Sequence, residues 1–544
     1  MDLPEVEFEP TMPNAIRRAT ERFGQNELLV MPGLRMTFEE ADLASRRVAC
    51  ELLAFGVGKG TRIAIHFPYG PDWIVAFFAI TRIGAVCVPL STSFRPAELR
   101  RAVVHGDVDT LLIPSTNASD EQATFMEQAF PSLVDAGEGP HYLKEAPFLR
   151  SFLATGSLGR PWAAEVSLGL DQGGSGKTQV SELMLEAVES QVVPGDWCMV
   201  IQTSGTTGEP KGAIHTHGAF VRHNENLSCF LGWTEERTQY SGLPWFWIGG
   251  VVLSVGHALA QGFTLLALEK FENQGALDLI IEEQPEQVGM WGQLLQRFYQ
   301  YAAASGRDLT GVPAMDFLMG EPVDPGLRHN SLGQTETLGP HSGAGPEIGR
   351  ELPEELRGSF GLPVPHVEHR VVDPETGEDL EPGEEGEILI RGYSLSAGLY
   401  KRERHEAFDD NGWLHTGDRG YFKKGYLFFT GRFTEMIKTL GANVSPREVE
   451  LVLEMLPEVS LAIVLGIPDE ERGQIVGAVL VPAPGHDVDL EAVRVHAMEQ
   501  VSSYKVPRCT LSIPSEEMPS LGSGKPDKLV LLAMLEEAAA ADSS

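Results

Sequence analysis

The chain has 544 residues, 42% hydrophobic and 8% aromatic, which indicates a globular protein with more than one hydrophobic core and excludes an intrinsically disordered one. Its 77 acidic residues outnumber 42 Lys and Arg, and the net charge of −35 disfavours partners such as nucleic acid or an anionic lipid surface. A nucleotide substrate would therefore need a locally positive site on this acidic protein.

The five cysteines are scattered, without a CxxC pair or the spacing of a metal site, which indicates a reducing compartment. Residues 1–10 are acidic and lack the basic start and apolar core of a secretory signal. The apolar run 73–90 is interrupted by Thr81, Arg82 and Gly84, so it predicts a core helix followed by a strand rather than a membrane span. We expect a cytoplasmic protein.

Helical and strand-like patterns alternate from residue 36 to residue 113, and this alternation is typical of parallel sheets covered by helices. Residues 114–195 are weakly patterned and rich in Gly, Pro and Ser, so we predict loops with short helices there. A strand–loop–helix unit follows at 197–230, with further α/β units to about residue 317. The predicted helices are 38–55, 72–83 and 96–104, and the predicted strands are 62–67, 85–90 and 110–113.

The pattern changes near residue 359 and again after residue 431. Short β-rich segments at 368–372, 387–391 and 426–430, separated by turn residues, predict a small barrel or distorted sheet. Ser445 and Glu448 then form a capping-box pattern that opens a helix to about residue 456. Strands at 461–466 and 475–482 and a helix at 489–501 complete a compact α+β unit.

A polar loop at 203–212 contains the composition that a phosphate-binding turn needs. Its glycines let backbone N–H groups approach an anion, its hydroxyls donate to phosphate oxygens, and its lysine neutralises charge. It directly follows the apolar run 197–201, and a polar surface loop is the ordinary alternative. The residues concerned are Thr203, Ser204, Gly205, Thr206, Thr207, Gly208 and Lys211.

A second glycine-rich segment, 173–178, only imitates a P-loop. The motif requires a glycine at position 171, where the chain has Asp171, and no strand-like run precedes it. We therefore expect a polar connection there and reject the motif.

Four later segments carry further candidate residues. Glu336 stands beside two hydroxyls in 331–337, and Asp418 lies at a turn where it could accept two vicinal hydroxyls. Arg432 and Lys438 lie where the two pattern types meet, and Lys525 lies on a glycine-rich loop. Singly, these residues are explained as a helix cap, a turn former, surface ion pairs and a solvated lysine; their joint occurrence in this order favours a shared site.

Together these motifs resemble the adenylate-forming superfamily, which includes acyl-CoA synthetases, adenylation domains of nonribosomal peptide synthetases and beetle luciferases. The resemblance extends from the segment 36–38 through 84–89 and the phosphate loop to Lys525, and it is strongest to the acyl-CoA synthetases. It implies an α/β protein whose large N-terminal domain (1–431) combines helix-flanked sheets with a small β-barrel-like subdomain. A hinge (432–434, centred on Thr434) and a small mobile α+β C-terminal domain (435–544) follow.

The resemblance also implies substrates and residue roles: ATP, Mg²⁺ and coenzyme A, with a carboxylic acid attacking the α-phosphorus. The phosphate loop would hold the β- and γ-phosphates, Thr335 the α-phosphate and Glu336 the Mg²⁺. Asp418 and Arg432 would bind the ribose, and Lys525 would bridge the carboxylate and the α-phosphate. After domain rotation, Lys438 would replace Lys525, and the thiol would approach along Gly441 and Ala442. Gly320, Glu321, Pro322 and Gln334 are further implied ATP-binding residues.

Three positions depart from the family pattern. Leu332 replaces the usual tyrosine that stacks on adenine, and Thr434 replaces the usual hinge aspartate or lysine. The stretch between 322 and 331 is also shorter than the family usually shows.

The acid-binding region implied by the resemblance is apolar. The segment 242–250 is uncharged, which favours a fatty, aromatic or alicyclic acid, although packing in the core is the ordinary role of such aromatic clusters. The candidate lining residues are Trp245, Trp247, Gly249, Met290, Trp291 and Leu338.

Three functions remain open. The first is a CoA ligase that releases AMP and pyrophosphate. The second transfers the acyl group to a separate carrier protein. No carrier module follows Lys525 in this sequence, which favours free CoA over this alternative. The third is a noncatalytic nucleotide- or acyl-binding homologue. The expected partners are small molecules rather than nucleic acid, and a homodimer is compatible with the sequence.

Overall fold

The computed structural model describes most of the chain. The described residues are 3–115, 119–168, 180–204, 210–233, 237–290, 292–313, 327, 330–345, 351–439, 442–469, 472–501, 503–521 and 525–542.

The largest sheet has eight strands and carries the segments that the sequence predicted as an α/β unit. Its central strands, such as Val86–Pro89 and Thr110–Ile113, are buried along their whole length because helices cover both faces. The two strands at one end are antiparallel and the other neighbours are parallel. In spatial order the strands are Gly398–Leu399, Pro210–Thr216, Trp197–Ser204, Val86–Pro89, Arg62–Ile65, Thr110–Ile113, Ser151–Ala154 and Ala163–Glu165.

A second sheet of five strands is also mainly parallel. Its strands in spatial order are Gln287–Gly289, Thr238–Ser241, Thr264–Leu266, Glu27–Met31 and Leu34–Thr37, of which the last is antiparallel to its neighbour.

Two short antiparallel sheets join into one curled β-subdomain, as the sequence predicted. The first contains Leu332–Gln334, Gly339–Gly343 and Leu362–Pro363, and the second contains Val367–Val372, Gly386–Gly392, Leu414–Lys423 and Tyr426–Arg432. Phe360 N–H donates to the Leu427 carbonyl (2.7 Å), and Leu427 N–H donates to the Gly361 carbonyl (2.8 Å), which connects them. Gly361 has φ +80°, and a Cβ there would lie 2.0 Å from the Gly343 carbonyl oxygen, so only glycine fits this junction.

The C-terminal part is an α+β unit with helices on both faces of a five-stranded sheet. The helix Pro446–Leu453 packs on one face and the helix Lys528–Asp542 on the other, each over its own hydrophobic cluster. The strands are Ala442–Val444, Ile437–Thr439, Gly473–Pro482, Val459–Asp469 and Cys509–Ser512. Its apolar clusters contain residues from 437 onward only, which supports a domain boundary near 432–434 that remains a prediction.

Helices cover the sheets throughout the described ranges, and none of them combines the length and the apolar sequence needed to cross a bilayer. The α-helices are Met12–Phe23, Phe38–Ala54, Pro71–Arg82, Pro96–His105, Ser119–Ala129, Glu182–Glu189, His217–Leu231, Ile248–Gly250, His257–Gln261, Asn273–Glu283, Gly292–Ala304, Pro446–Leu453, Leu490–Gln500 and Lys528–Asp542.

The predicted elements occur with small shifts of their ends, but two predictions are corrected. The stretch predicted as loops and short helices also contributes the strands Ser151–Ala154 and Ala163–Glu165, which are too short to show a periodic pattern. The capping box at residue 445 is only half formed. Ser445 Oγ accepts from Glu448 N–H (3.3 Å), whereas the Glu448 carboxylate binds Lys505 Nζ at 2.6 and 2.7 Å instead of returning to the helix start.

Candidate active site

The phosphate loop connects two neighbouring strands of the largest sheet. Trp197–Ser204 and Pro210–Thr216 run antiparallel, with Thr203 opposite Lys211 in the register. The half-buried Lys211 therefore stands at the point where the loop leaves the sheet. Gly205, Thr206, Thr207 and Gly208 lie outside the described residues, as do the side chains of Thr203 and Ser204.

A buried carboxylate lies in the β-subdomain. Asp418 stands opposite Arg432 in two antiparallel strands, and Arg432 Nε lies 2.9 Å from Asp418 Oδ1. The amide of Gln334 donates to Asp418 Oδ2 (2.8 Å), so three segments that are distant in sequence meet at one side chain.

The Asp418 carboxylate has an acceptor atom to spare. Its side chain is 3% exposed, and Oδ1 accepts no hydrogen bond of good geometry from a described residue, although Arg432 is close. Burial raises the pKa of Asp418 to about 6, while the charge of Arg432 and the hydrogen bond from Gln334 act in the opposite direction. A buried acceptor of this kind suits a ligand that brings hydroxyl donors.

The segment with Thr335 and Glu336 is a tight turn that leads away from Gln334. Thr337 Oγ donates to the Gly339 carbonyl (2.7 Å) and accepts from Gln334 N–H (3.0 Å). The Ser396 N–H binds the Glu336 carbonyl (2.7 Å), which fixes the backbone below the carboxylate. Thr335 and Glu336 are thus held by backbone contacts while their side chains remain half-buried.

The donor set around Glu336 suits a magnesium ion that is shared with a nucleotide. The described residues contain no group of three or more His, Cys, Asp or Glu that could form a metal cage. Mg²⁺ is commonly bound by one or two carboxylates together with substrate phosphates and water. A single carboxylate such as that of Glu336 therefore fits Mg²⁺ that enters with ATP.

Lys525 of the C-terminal part stands near Arg432. Its loop is closed by hydrogen bonds from Leu521 N–H to the Lys525 carbonyl (2.8 Å) and from Asp527 N–H to the Pro519 carbonyl (2.9 Å). The side chain keeps contact with solvent, yet desolvation by its surroundings, and then the charge of Arg432, lower its pKa. Arg432 and Lys525, which the sequence placed at the predicted boundary and in the C-terminal part, are therefore near enough for their charges to interact.

The region around the predicted hinge contains an ion pair that the sequence did not suggest. Lys528 Nζ lies 2.9 Å from Glu435, and the carboxylate of Glu435 also acts on the charge of Lys525. Thr434 lies in the turn Phe433–Glu435, but its side chain is outside the described part. No local sequence pattern links residues 435 and 528, because the pair forms only when the domain folds.

Lys438 and Ala442, two of the residues predicted for the second half-reaction, lie on paired antiparallel strands of the C-terminal sheet. Lys438 is exposed in the strand Ile437–Thr439, and its N–H donates to Gln474 Oε1 (2.7 Å). Ala442 pairs with Thr439, and Gly441 lies outside the described residues. The structure thus places Lys438 on a strand and Lys525 on a separate loop of the C-terminal part.

The candidate acid-binding residues have unequal positions. Trp245 is fully buried: its indole N–H donates to Ser241 Oγ (2.9 Å), and its ring packs against Tyr69 and Trp73, as a core side chain does. Trp247 is half-buried at the start of the helix Ile248–Gly250.

Gly249 lies in that short helix. The helix packs on the strand Gly339–Gly343, which directly follows the buried Leu338. Met290 is 5% exposed and packs over Gly242, where a Cβ would lie 2.8 Å from its Cγ. Trp291, Gly320, Glu321 and Pro322 lie outside the described residues.

Two family models match this chain. The model of the AMP-binding enzyme matches residues 16–400, and the model of the AMP-binding enzyme C-terminal domain matches residues 448–525.

Individual relatives cover nearly the same length. The putative acyl-CoA synthetase YngI of Bacillus subtilis (strain 168) is 25% identical over 96% of both chains. The fatty acid–[acyl-carrier-protein] ligase ScoC of Streptomyces coeruleorubidus is 27% identical over 87% of both chains. Among solved structures, the anthranilate CoA ligase AuaEII in complex with anthranoyl-AMP superposes with a TM-score of 0.77, covers 99% of both chains and is 21% identical. The chain therefore belongs to the AMP-binding enzyme family and is most like the acyl-CoA synthetases.

Proposed function

We propose that this protein converts ATP, an apolar carboxylic acid and coenzyme A into acyl-CoA, AMP and pyrophosphate through an acyl adenylate. The observation that carries the proposal is the buried Asp418 carboxylate, which is joined to Gln334 and to Arg432, whose charge in turn acts on Lys525. This arrangement combines an acceptor for ribose hydroxyls with cations for a phosphate in an otherwise acidic protein.

Asp418 binds the ribose in this proposal. Its Oδ1 accepts from a ribose hydroxyl, while Gln334 holds Oδ2 and Arg432 keeps the carboxylate charged at neutral pH. The half-buried Leu332 packs against the main hydrophobic core and supplies apolar rather than aromatic surface for the adenine.

The phosphates lie between the loop that ends at Lys211 and the turn with Thr335 and Glu336. Lys211 neutralises the β- and γ-phosphates, and Thr335 donates to the α-phosphate. Mg²⁺ bound at Glu336 would offset the negative charge of the phosphate oxygens. The residues' own contribution is positioning, because the turn is held by Thr337 and Ser396 before any ligand binds.

The first half-reaction is an in-line displacement at phosphorus. A substrate carboxylate oxygen forms a bond to the α-phosphorus, the bond to the bridging oxygen of pyrophosphate breaks, and that oxygen keeps the electron pair. Lys525 contacts both the carboxylate and the α-phosphate, so its charge stabilises the negative charge that moves between them. The product is the acyl adenylate.

In the second half-reaction the thiolate of coenzyme A attacks the acyl carbon, and AMP leaves. The C-terminal domain rotates about residues 432–434, which removes Lys525 and brings the hairpin with Lys438, Gly441 and Ala442 to the site. The exposed position of Lys438 on a strand separate from the Lys525 loop supports this exchange.

The acid is apolar in this proposal because the predicted binding region holds no charge. Trp247 and Gly249 lie at the short helix, and Leu338 precedes the strand on which that helix packs. Trp245 supports this region from the core, and Met290 and Trp291 complete the predicted lining. Such a site favours a fatty, aromatic or alicyclic acid.

A carrier protein is the second candidate acceptor. The 27% identity with a ligase named for an acyl carrier protein, over 87% of this chain, favours it. A noncatalytic homologue requires that the Asp418 and Lys525 groups bind nucleotide without turnover.

The experiment that tests the proposal is pyrophosphate release with a panel of acids, measured with and without CoA. We expect release with apolar acids, and acyl-CoA only when CoA is present. An acyl adenylate that accumulates with CoA but is consumed by a phosphopantetheinylated carrier would assign the second function. If no acid triggers release while ATP still binds, the noncatalytic reading replaces the proposal.

A further inference from the structure

Arg297 connects the large N-terminal part to the C-terminal part at a point far from the predicted hinge. Its Nη2 donates to the Ser515 carbonyl (2.5 Å) and to the Met518 carbonyl (3.5 Å), and its Nε donates to Ser515 Oγ (3.4 Å). The partners are more than 200 residues away in sequence. The link is a charged donor on two backbone carbonyls, which is stronger than a hydrogen bond between neutral groups.

Both ends of this link are anchored in packed structure. Arg297 lies on the helix Gly292–Ala304, whose Phe298 and Ala302 are buried in a hydrophobic cluster with the second sheet. Ser515 opens a 3-10 turn between Ile513 and Met518, which are both buried in the C-terminal core. These hydrogen bonds therefore restrain two packed parts of the protein relative to each other, rather than two mobile surface side chains.

The C-terminal end of the link leads directly to Lys525. Met518 precedes Pro519, whose carbonyl accepts from Asp527 N–H (2.9 Å), and Ser520 forms a β-bridge with Pro526. The turn that Arg297 holds is therefore the base of the loop that presents Lys525 to Arg432. The helix that carries Arg297 begins at Gly292, directly after the predicted acid-binding residues Met290 and Trp291 in the sequence.

We propose that Arg297 is a positioning residue that stabilises the domain orientation in which Lys525 faces the nucleotide site. This inference rests on the proposed function for its catalytic consequence, but not for its structural one. Arg297 touches no reacting atom. It acts by raising the fraction of molecules in the orientation described here, so its loss slows adenylation and spares thioester formation.

The chain offers matched variants for the test. Arg297→Gln removes the charge and shortens the donor, whereas Arg297→Lys keeps the charge with fewer donors. Arg307→Gln is the control, because Arg307 follows the same helix and forms an exposed pair with Asp278 (2.8 Å), a residue of the N-terminal part. Removing a hydrogen bond made by a charged group should change the equilibrium between the two domain orientations by about tenfold or more.

The first measurement is a distance between the domains. Cys229 is exposed and the other four cysteines are buried, so a donor dye can be placed on it. Met498→Cys, at a position 60% exposed on Leu490–Gln500, accepts the second dye in the C-terminal domain. We expect Arg297→Gln to shift the distance distribution away from that of the parent, Arg297→Lys to shift it partly, and Arg307→Gln to leave it unchanged.

The second measurement separates the half-reactions. We expect Arg297→Gln to slow acyl-adenylate formation at least fivefold, with thioester formation from supplied acyl adenylate unchanged or faster. An unchanged distance distribution, or equal slowing of both half-reactions, overturns the proposal. A shifted distance with unchanged adenylation also overturns it, because Arg297 would then orient the domain without affecting the position of Lys525 in the reaction. If the parent protein adenylates no acid, the proposed function fails while the distance still decides whether Arg297 holds the domain.

Discussion

Asp418 and Arg432 face each other across two antiparallel strands, with the guanidinium Nε 2.9 Å from a carboxylate that is 3% exposed. The carboxylate remains costly to ionise even with this partner, because burial raises its pKa to about 6. A group kept at such a cost is expected to bind a ligand.

Replacing Asp418 by Asn should weaken nucleotide binding and stabilise the unliganded protein. A raised carboxyl pKa contributes stability that is present below the unfolded pKa and lost as the pH rises through about 6. At pH 7 the uncharged amide avoids that penalty, which corresponds to about 1–3 kcal/mol. The measurements are urea unfolding without ligand and calorimetric titration with ATP. A loss of stability at pH 7 together with normal ATP affinity would contradict the assignment.

ATP affinity should decrease as the pH is lowered through the range in which Asp418 becomes protonated. Since the proposed acceptor is the ionised carboxylate, we expect little change from pH 8 to pH 7 and a decline of about tenfold per pH unit below 6. Titrations at several pH values, with circular dichroism to confirm folding, measure this. The Asp418→Asn variant is the control and should show a weak affinity without this dependence.

Lys525→Ala should nearly abolish acyl-adenylate formation. The loss of one preorganised charge contact lowers the rate by about 10²–10³, because that charge stabilises the transition state more than the ground state. Thioester formation from supplied acyl adenylate should be largely spared. Lys424→Ala, which removes an exposed pair with Glu355, is a matched control and should change neither rate. Equal losses in both half-reactions would argue against the two-orientation mechanism.

Acid should unfold the protein over a narrow pH range, because burial lowers the pKa of seven described histidines and keeps them neutral; in His341 it lies well below its usual value. Burial lowers the pKa to about 3 in His215 and His257 and to about 4 in His66, His217, His223 and His369. Their contribution to stability is full above the unfolded pKa of about 6.5 and is lost as the pH falls towards 4. Each should add roughly 1.4 kcal/mol per pH unit to the slope once the unfolded histidine is charged.

Urea unfolding at pH values from 7 to 4.5 measures that slope. His223→Gln should lower the number of protons taken up on unfolding by about one. His405→Gln, at an exposed position, should leave it unchanged. A slope that is the same in all three proteins would show that the buried histidines do not control acid unfolding.

Gly361→Ala should destabilise the β-subdomain by more than about 3 kcal/mol, because a Cβ would overlap the Gly343 carbonyl oxygen at 2.0 Å. Gly383→Ala is the control, since Gly383 also has a positive φ (+99°) but no neighbour within 4 Å of a Cβ. It should cost only about 1 kcal/mol, the strain of the backbone conformation alone. Thermal unfolding followed by circular dichroism compares the two.

Some elements of the fold could be predicted from the sequence and others could not. The apolar runs at 62–67 and 110–113 predicted buried parallel strands because such strands need apolar side chains on both faces. The strand Ala163–Glu165 escaped prediction because three residues have no period, and its pairing with Ser151–Ala154 defines it. Glu448 was predicted as a capping residue, but Lys505, 57 residues later, binds its carboxylate.

The sequence by itself determined the family, the α/β class, the change to an α+β unit after residue 431 and the candidate residues, because these follow from local composition and motif order. Only the tertiary structure decided that Gln334 and Arg432 meet on Asp418, that Trp245 is a core side chain, and that Arg297 holds the turn before Lys525. The physical reason is that burial, pKa and ion pairing depend on atoms brought together from distant parts of the chain, and no local pattern specifies which atoms those are.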